Sequence, residues 1–234
     1  MTAKDMFSHR VSILTGHYGT GKTEVSVNLA LALAAEGEQV MLADLDIVNP
    51  YFRSYEQTKR SRERRPLLEK AGVRVISSSQ ACSDADVPAL PAELLTILEN
   101  REIRGILDIG GDPVGARVLA RFQPKIVQED YQLIFVLNAN RPEVRDAESA
   151  AAYLRSIEAV TGLTCSGLVN NTHLCGETTP AEIRKGAALA QEVSRQTGIP
   201  ILCHTAERRF LESLSDLGEP VFPIAINMKK PWER

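Results

Sequence analysis

The sequence predicts an α/β protein with a mostly parallel central sheet of about seven or eight strands, flanked by helices in three layers. Two observations carry that expectation. Short apolar runs alternate with longer amphipathic segments almost from end to end of the 234 residues, the pattern of strand–helix units that build a parallel sheet. The runs are apolar throughout rather than alternately polar, as strands covered on both faces must be.

The elements follow in order. Val11–Thr15, Val40–Ala43, Val73–Ser77, Gly105–Asp108, Leu133–Asn138, Gly167–Asn171 and Ile199–Cys203 read as strands, and Val221–Pro223 adds a short strand at an edge. Between them Thr23–Glu36, Pro91–Asn100, Glu143–Thr161 and Thr179–Thr197 carry apolar residues at helical spacing. No internal repeat, low-complexity tract or linker divides the chain, so residues 1–234 are expected to form a single domain. One compositional anomaly stands out: the basic run Lys59-Arg60-Ser61-Arg62-Glu63-Arg64-Arg65, directly before Pro66. It reads as a solvated surface, with a docking patch for an acidic partner or an anion-binding edge as the alternatives.

Composition narrows the function classes. The chain is 44% hydrophobic and 24% charged with a formal net charge of -3, so bulk electrostatics favour neither nucleic acid nor a membrane surface. No apolar run approaches the roughly 18–20 residues needed to span a bilayer, and Met1–Arg10 has no signal-peptide core. A cytoplasmic location is the expectation. Cys82, Cys165, Cys175 and Cys203 are scattered. They lack the paired spacing of zinc or iron–sulfur ligands and read as buried thiols.

The most informative stretch is Gly16-His17-Tyr18-Gly19-Thr20-Gly21-Lys22-Thr23, which has the GxxxxGK[ST] pattern. An apolar strand enters it and a helix leaves it, the context in which such a loop cradles phosphates. The glycines let the backbone curl so that successive N–H groups converge on an anion. The helix beginning near Lys22 adds the positive end of its dipole. Lys22 is expected to reach the β- and γ-phosphates, and Thr23 to place its hydroxyl on Mg²⁺.

Carboxylates complete the expected site. Ala43-Asp44-Leu45-Asp46 closes the second strand and Asp108-Ile109-Gly110-Gly111-Asp112 the fourth. Ligands of open α/β sheets sit beyond the carboxyl ends of the strands, so both groups should face the loop. Asp108 suits a water-mediated contact to Mg²⁺ in the manner of a Walker B residue. Gly111 can present its N–H to a γ-phosphate and respond to its loss. Asp44 and Asp46 lie two residues apart, on one face if the strand persists. One would orient the attacking water and the other hold the hydration shell of the metal, with the two roles open between them; the expected metal set is Thr23, Asp44 and Asp108.

Together the loop, the Asp44-x-Asp46 and Asp108 strand ends and the stretch Asn138–Ala147 resemble the MinD/ParA/CobQ/CobB-type P-loop NTPases of the SIMIBI class, over about residues 10 to 205. Their fold is a Rossmann-like three-layer α/β domain. The resemblance implies ATP and Mg²⁺ as ligands, with Lys22, Asp46 and Asp108 as catalytic residues. It assigns Asp46 to positioning water and Asn171 to hydrogen-bonding the base, with Asn170 as the fallback. The GTPase base motif NKxD is replaced by Asn171-Thr172-His173-Leu174, which favours ATP over GTP. One departure is plain. His17 stands where dimerising relatives carry the signature lysine of a deviant Walker A motif, so the resemblance does not extend to a lysine-dependent sandwich dimer and leaves a homodimer open. Asn49-Pro50-Tyr51-Phe52-Arg53 follows Asp46 closely and reads as either a switch or substrate loop or a packed turn.

The function expected from these readings is an ATP-binding, Mg-dependent ATPase acting as a nucleotide-controlled switch on a protein client. The alternative is an ATP-dependent small-molecule ligase or kinase resembling the dethiobiotin and cobyrinate amide synthetases.

Overall fold

The computed structural model describes residues 1–45, 66–77 and 93–227. Its centre is an eight-stranded sheet in the order β3-β2-β4-β1-β5-β6-β7-β8. The strands are β1 Val11–Thr15, β2 Gln39–Leu45, β3 Arg74–Ser77, β4 Ile103–Ile109, β5 Tyr131–Leu137, β6 Cys165–Asn170, β7 Ile201–Glu207 and β8 Val221–Ile224. Every neighbouring pair is parallel, so all eight carboxyl ends lie along one edge of the sheet. The expected strands are all present. Most run one to four residues longer at an end, because pairing with a neighbour extends a strand past its apolar core.

The pleat sends alternate residues to two separate cores. On one face Leu14, Val40, Leu42, Ile106, Ile134 and Val136 pack against Val25, Leu29 and Leu33 of helix Lys22–Ala35. On the other, Ile13, Met41, Ala43, Leu107 and Phe135 pack against helices Glu93–Glu99, Ala147–Thr161 and Pro180–Thr197. This is the three-layer arrangement expected of the sequence.

Helix Lys22–Ala35 is buried on nearly all sides, including Glu24, Ser26 and Asn28. The segments 3–7 and 222–227 cover it. Phe7 meets Phe222 edge-on at 5.6 Å. The segment after β8 straps onto the first turns of the helix: Asn28 Nδ2 donates to the Ala225 carbonyl at 2.9 Å, and the Asn227 amide donates to Glu24 Oε1 at 2.8 Å. No amphipathic period announces this strap, so it is invisible in sequence.

One expected helix begins later than its periodicity suggests. Glu143–Thr161 divides into a 3₁₀ turn, Pro142–Val144, and a helix that starts at Ala147. Asp146 causes the break: extended, with its carboxylate accepting from the Ser149 amide at 2.8 Å, it is the N-cap. Among the described residues no helix is long and apolar enough to cross a membrane. Cys165 and Cys203 are buried free thiols and Cys175 is half-buried. Burial pushes the Cys165 thiol up to about 12 and the Cys203 thiol further. Cys82, the basic run Lys59–Arg65 and the loop Asn49–Arg53 lie outside the described residues.

Candidate nucleotide-binding site

The loop between β1 and helix Lys22–Ala35 sits at the centre of the carboxyl edge, where β1 lies between β4 and β5. Its entry requires glycine: at Gly16 φ is +138°, and a Cβ would collide with the Val136 carbonyl oxygen. The loop then closes on itself around the His17 carbonyl. That oxygen accepts from Thr20 Oγ1 at 2.9 Å and from Lys22 Nζ at 3.2 Å. The lysine is therefore drawn back over the loop, with its side chain almost wholly buried. Gly21 is the N-cap residue of the helix, in the left-handed region, so the first turn begins at Lys22.

The carboxylates converge as strand-end topology requires. Asp44 and Asp108 are register partners across β2 and β4, and Asp108 is in turn the partner of Leu14 on β1. Asp44 follows Val40 and Leu42 in the pleat and Asp108 follows Ile106, so both belong to the face of the loop helix. Asp108 is buried and Asp44 partly so. Beyond β4, Gly111 presses on the loop tip: a Cβ there would lie 2.7 Å from Tyr18 Cα and 3.0 Å from Lys22 Nζ. Lys22, Asp44, Asp108 and Gly111 thus surround one volume at the mouth of the loop, with Thr23 on the first turn of the helix. Asp46 lies outside the described residues.

Asn171, the first residue after β6, reaches the loop from the other side. Its Nδ2 donates to the Thr20 carbonyl at 2.8 Å, and its Oδ1 accepts from Thr205 Oγ1 at 2.5 Å. Asn170 points elsewhere. Its amide donates to the Ile183 carbonyl at 3.0 Å and lies 3.2 Å from His204 Nδ1, tying β6 to helix Pro180–Thr197 and β7.

His17 turns inward along its own chain. Its ring packs edge-on against Tyr153 at 5.0 Å, and Nδ1 is 3.7 Å from a Glu143 carboxylate oxygen. Tyr18 beside it is 67% exposed at the loop tip. Tyr153 in turn donates its hydroxyl to the Gly111 carbonyl at 2.5 Å. Burial first, then the charges of Asp112 and Glu143, push that phenol up to about 12.

Three further residues belong to the site and had no role in the sequence reading. Arg141 donates Nε to the Gly19 carbonyl at 2.7 Å. His173 Nδ1 accepts from the Cys175 amide at 3.2 Å, which leaves the proton on Nε2, and Nε2 lies beside Gly21 with no partner among the described residues. Burial, and then the Arg141 charge, lower its pKa. The third is Tyr153. Arg141 carries a signal, since it opens the stretch Arg141–Ala147 that supports the family resemblance. Nothing in the sequence marks Tyr153.

A divalent cation suits this donor set. Mg²⁺ takes hard oxygen ligands, one or two of them carboxylates, with substrate phosphates supplying others. Asp44, Asp108 and the Thr23 hydroxyl would hold it directly or through water. Among the described residues no cluster of three or more His, Cys, Asp or Glu exists that would favour a softer or permanently caged metal.

Comparison with known proteins agrees with this geometry. Residues 6–90 match the ParA family model, described as a NUBPL iron-transfer P-loop NTPase. The septum site-determining protein MinD of Helicobacter pylori is 23% identical over 242 residues, covering 96% of this chain and 87% of that protein. Among solved structures, the cell division protein FtsY of Thermotoga maritima superposes over 82% of this chain with a TM-score of 0.52 at 22% identity. The 54 kDa signal recognition particle protein of Aeropyrum pernix, solved with GDP, superposes over 82% of this chain with a TM-score of 0.50 at 25% identity. The chain spans 59% and 40% of those two structures, so they speak to the fold of the shared domain. The GxxxxGKT loop on the central strand, flanked by two register-paired aspartates, and the similarity to the ParA family model and to MinD support a P-loop NTPase of the MinD/ParA type.

Proposed function

We propose that this protein binds and hydrolyses ATP with Mg²⁺ and that the nucleotide state switches its hold on a protein client. The observation that carries the reading is the meeting of Lys22 and Gly111 at the mouth of the loop. Gly111 belongs to the segment after Asp108, so a group that binds Lys22 must also touch the end of β4. Loss of a γ-phosphate there would free the segment, and Tyr153 would carry the change to helix Ala147–Thr161. Lys22 neutralises the β- and γ-phosphates, Asp44 and Asp108 position the metal, and Asp46 orients the attacking water. The missing NKxD motif supports ATP over GTP; the resemblance assigns Asn171 to the base, whereas its amide is engaged here by Thr20 and Thr205.

The test is calorimetry joined to a turnover assay. Lys22→Ala is expected to abolish ATP–Mg²⁺ binding, and unaltered affinity would sink the reading. Asp46→Ala is expected to keep ATP while losing turnover; normal turnover would remove its assigned role. A switch should also hydrolyse ATP slowly without any added acid substrate. Turnover that appears only with a small carboxylic acid would point instead to a ligase.

A further inference from the structure

A phosphate loop binds anions only if its N–H groups face inward. In a planar trans peptide the C=O and N–H point in opposite directions, so a donor that holds a carbonyl on the outer side sets the N–H on the inner side. Two such donors act on this loop. Asn171 Nδ2 holds the Thr20 carbonyl, which directs the Gly21 N–H to the opposite side. Arg141 Nε holds the Gly19 carbonyl and does the same for the Thr20 N–H, whose contact with the His17 carbonyl is a long 3.3 Å.

Arg141 differs from Asn171 in carrying a charge. A turn after β5 aims it, closed by the Arg141 amide donating to the Asn138 carbonyl at 3.0 Å. A Cβ on Gly19 would lie 2.8 Å from its Cζ and 2.9 Å from its Nε. The guanidinium therefore lies directly against the loop, in space that only glycine leaves free. The side chain is half-buried, and among the described residues no carboxylate pairs with it. A cation held against the loop with no carboxylate beside it adds a positive field there, which an anion in the loop would meet. His17, meanwhile, is directed toward Tyr153 and Glu143 rather than outward.

We infer that Arg141 is a positioning residue and second cation of the phosphate site, acting in cis with Lys22. Its Nε fixes the Gly19–Thr20 peptide, and its charge favours a polyphosphate in the loop. The inference rests on the reading of the loop as a triphosphate site.

The experiment compares wild type, Arg141→Ala, Arg141→Gln and Arg141→Lys by calorimetry against ATP–Mg²⁺ and against inorganic tripolyphosphate, at low and high salt. Arg141→Ala is expected to weaken both ligands by about tenfold or more, the range of a charge-assisted hydrogen bond. Arg141→Lys, which keeps the charge, should recover more affinity than Arg141→Gln, which keeps only a donor, and the gap should shrink at high salt. Weaker ATP binding with unchanged tripolyphosphate binding would overturn the inference by placing Arg141 at the base or sugar. So would equal affinity of Lys and Gln variants, since the charge would then do nothing. If wild type binds neither ligand, the reading of the loop itself fails, a result distinct from either of these.

Discussion

Single residues around the loop show two kinds of design. Lys22, Thr23, Asp44 and Asp108 are recognisable by type and place, because phosphate and Mg²⁺ demand a cation and hard oxygens at fixed offsets from a strand end. Arg141, His173 and Tyr153 act through contacts that only the folded chain brings together, which no spacing rule encodes. His173 gives this a measurable form. Its folded pKa lies below the ordinary histidine value because burial and Arg141 disfavour the charged ring. Between about 6.5 and that lowered value the unfolded chain holds a proton that the folded chain does not, so stability falls as pH falls through this window. Above about 6.5 both states are neutral and the residue contributes no slope. Urea unfolding at pH 7.5 and at pH 5.5 should therefore show a smaller loss of stability for His173→Gln than for wild type. An equal or larger loss in the variant would contradict the assignment.

Elements were legible to the extent that burial alone defines them. β1 to β7 sit inside the sheet or pair at its edge with runs of Val, Ile and Leu, and their positions follow directly from composition. Their ends depend on pairing and on caps, and there the apolar pattern misleads. Helical spacing continues across Glu143–Thr161, yet the helix starts at Ala147 because Asp146 supplies a cap that the preceding 3₁₀ turn cannot use. Asp146→Ala is expected to destabilise the helix start, read as a lower urea midpoint with unchanged slope. A cost near zero would mean that the 3₁₀ turn, rather than the cap, sets the helix start. The Asp146 carboxyl is held below the usual range chiefly by the Ser149 amide. The capping contribution is present above the unfolded aspartate pKa and is lost as pH falls through the lower folded value.

At the scale of the molecule, the fold class followed from alternation, and the site followed from topology, since every parallel strand delivers its carboxyl end to one edge. The strap at 225–227 and the enclosure of the loop helix did not follow, because they join residues nearly two hundred positions apart through polar side chains. Quaternary behaviour belongs to this scale too. His17 is engaged by Tyr153 and Glu143 of its own chain, so ATP–Mg²⁺ is expected to leave the protein monomeric in multi-angle light scattering. A doubling of mass on adding ATP would show that another group bridges two copies.

The position of β1 carries a consequence for biosynthesis. Its partners are β4 and β5, and both pairings are parallel, so no local hairpin can start them. The ribosome releases Gly16–Thr23 long before it releases Leu137, and Asn171 later still. The nascent loop must therefore pass its first moments as open chain, unable to hold a nucleotide or be guided by one. Such late, long-range pairing is slow, so a nucleotide in the loop can reward folding only after the sheet has closed.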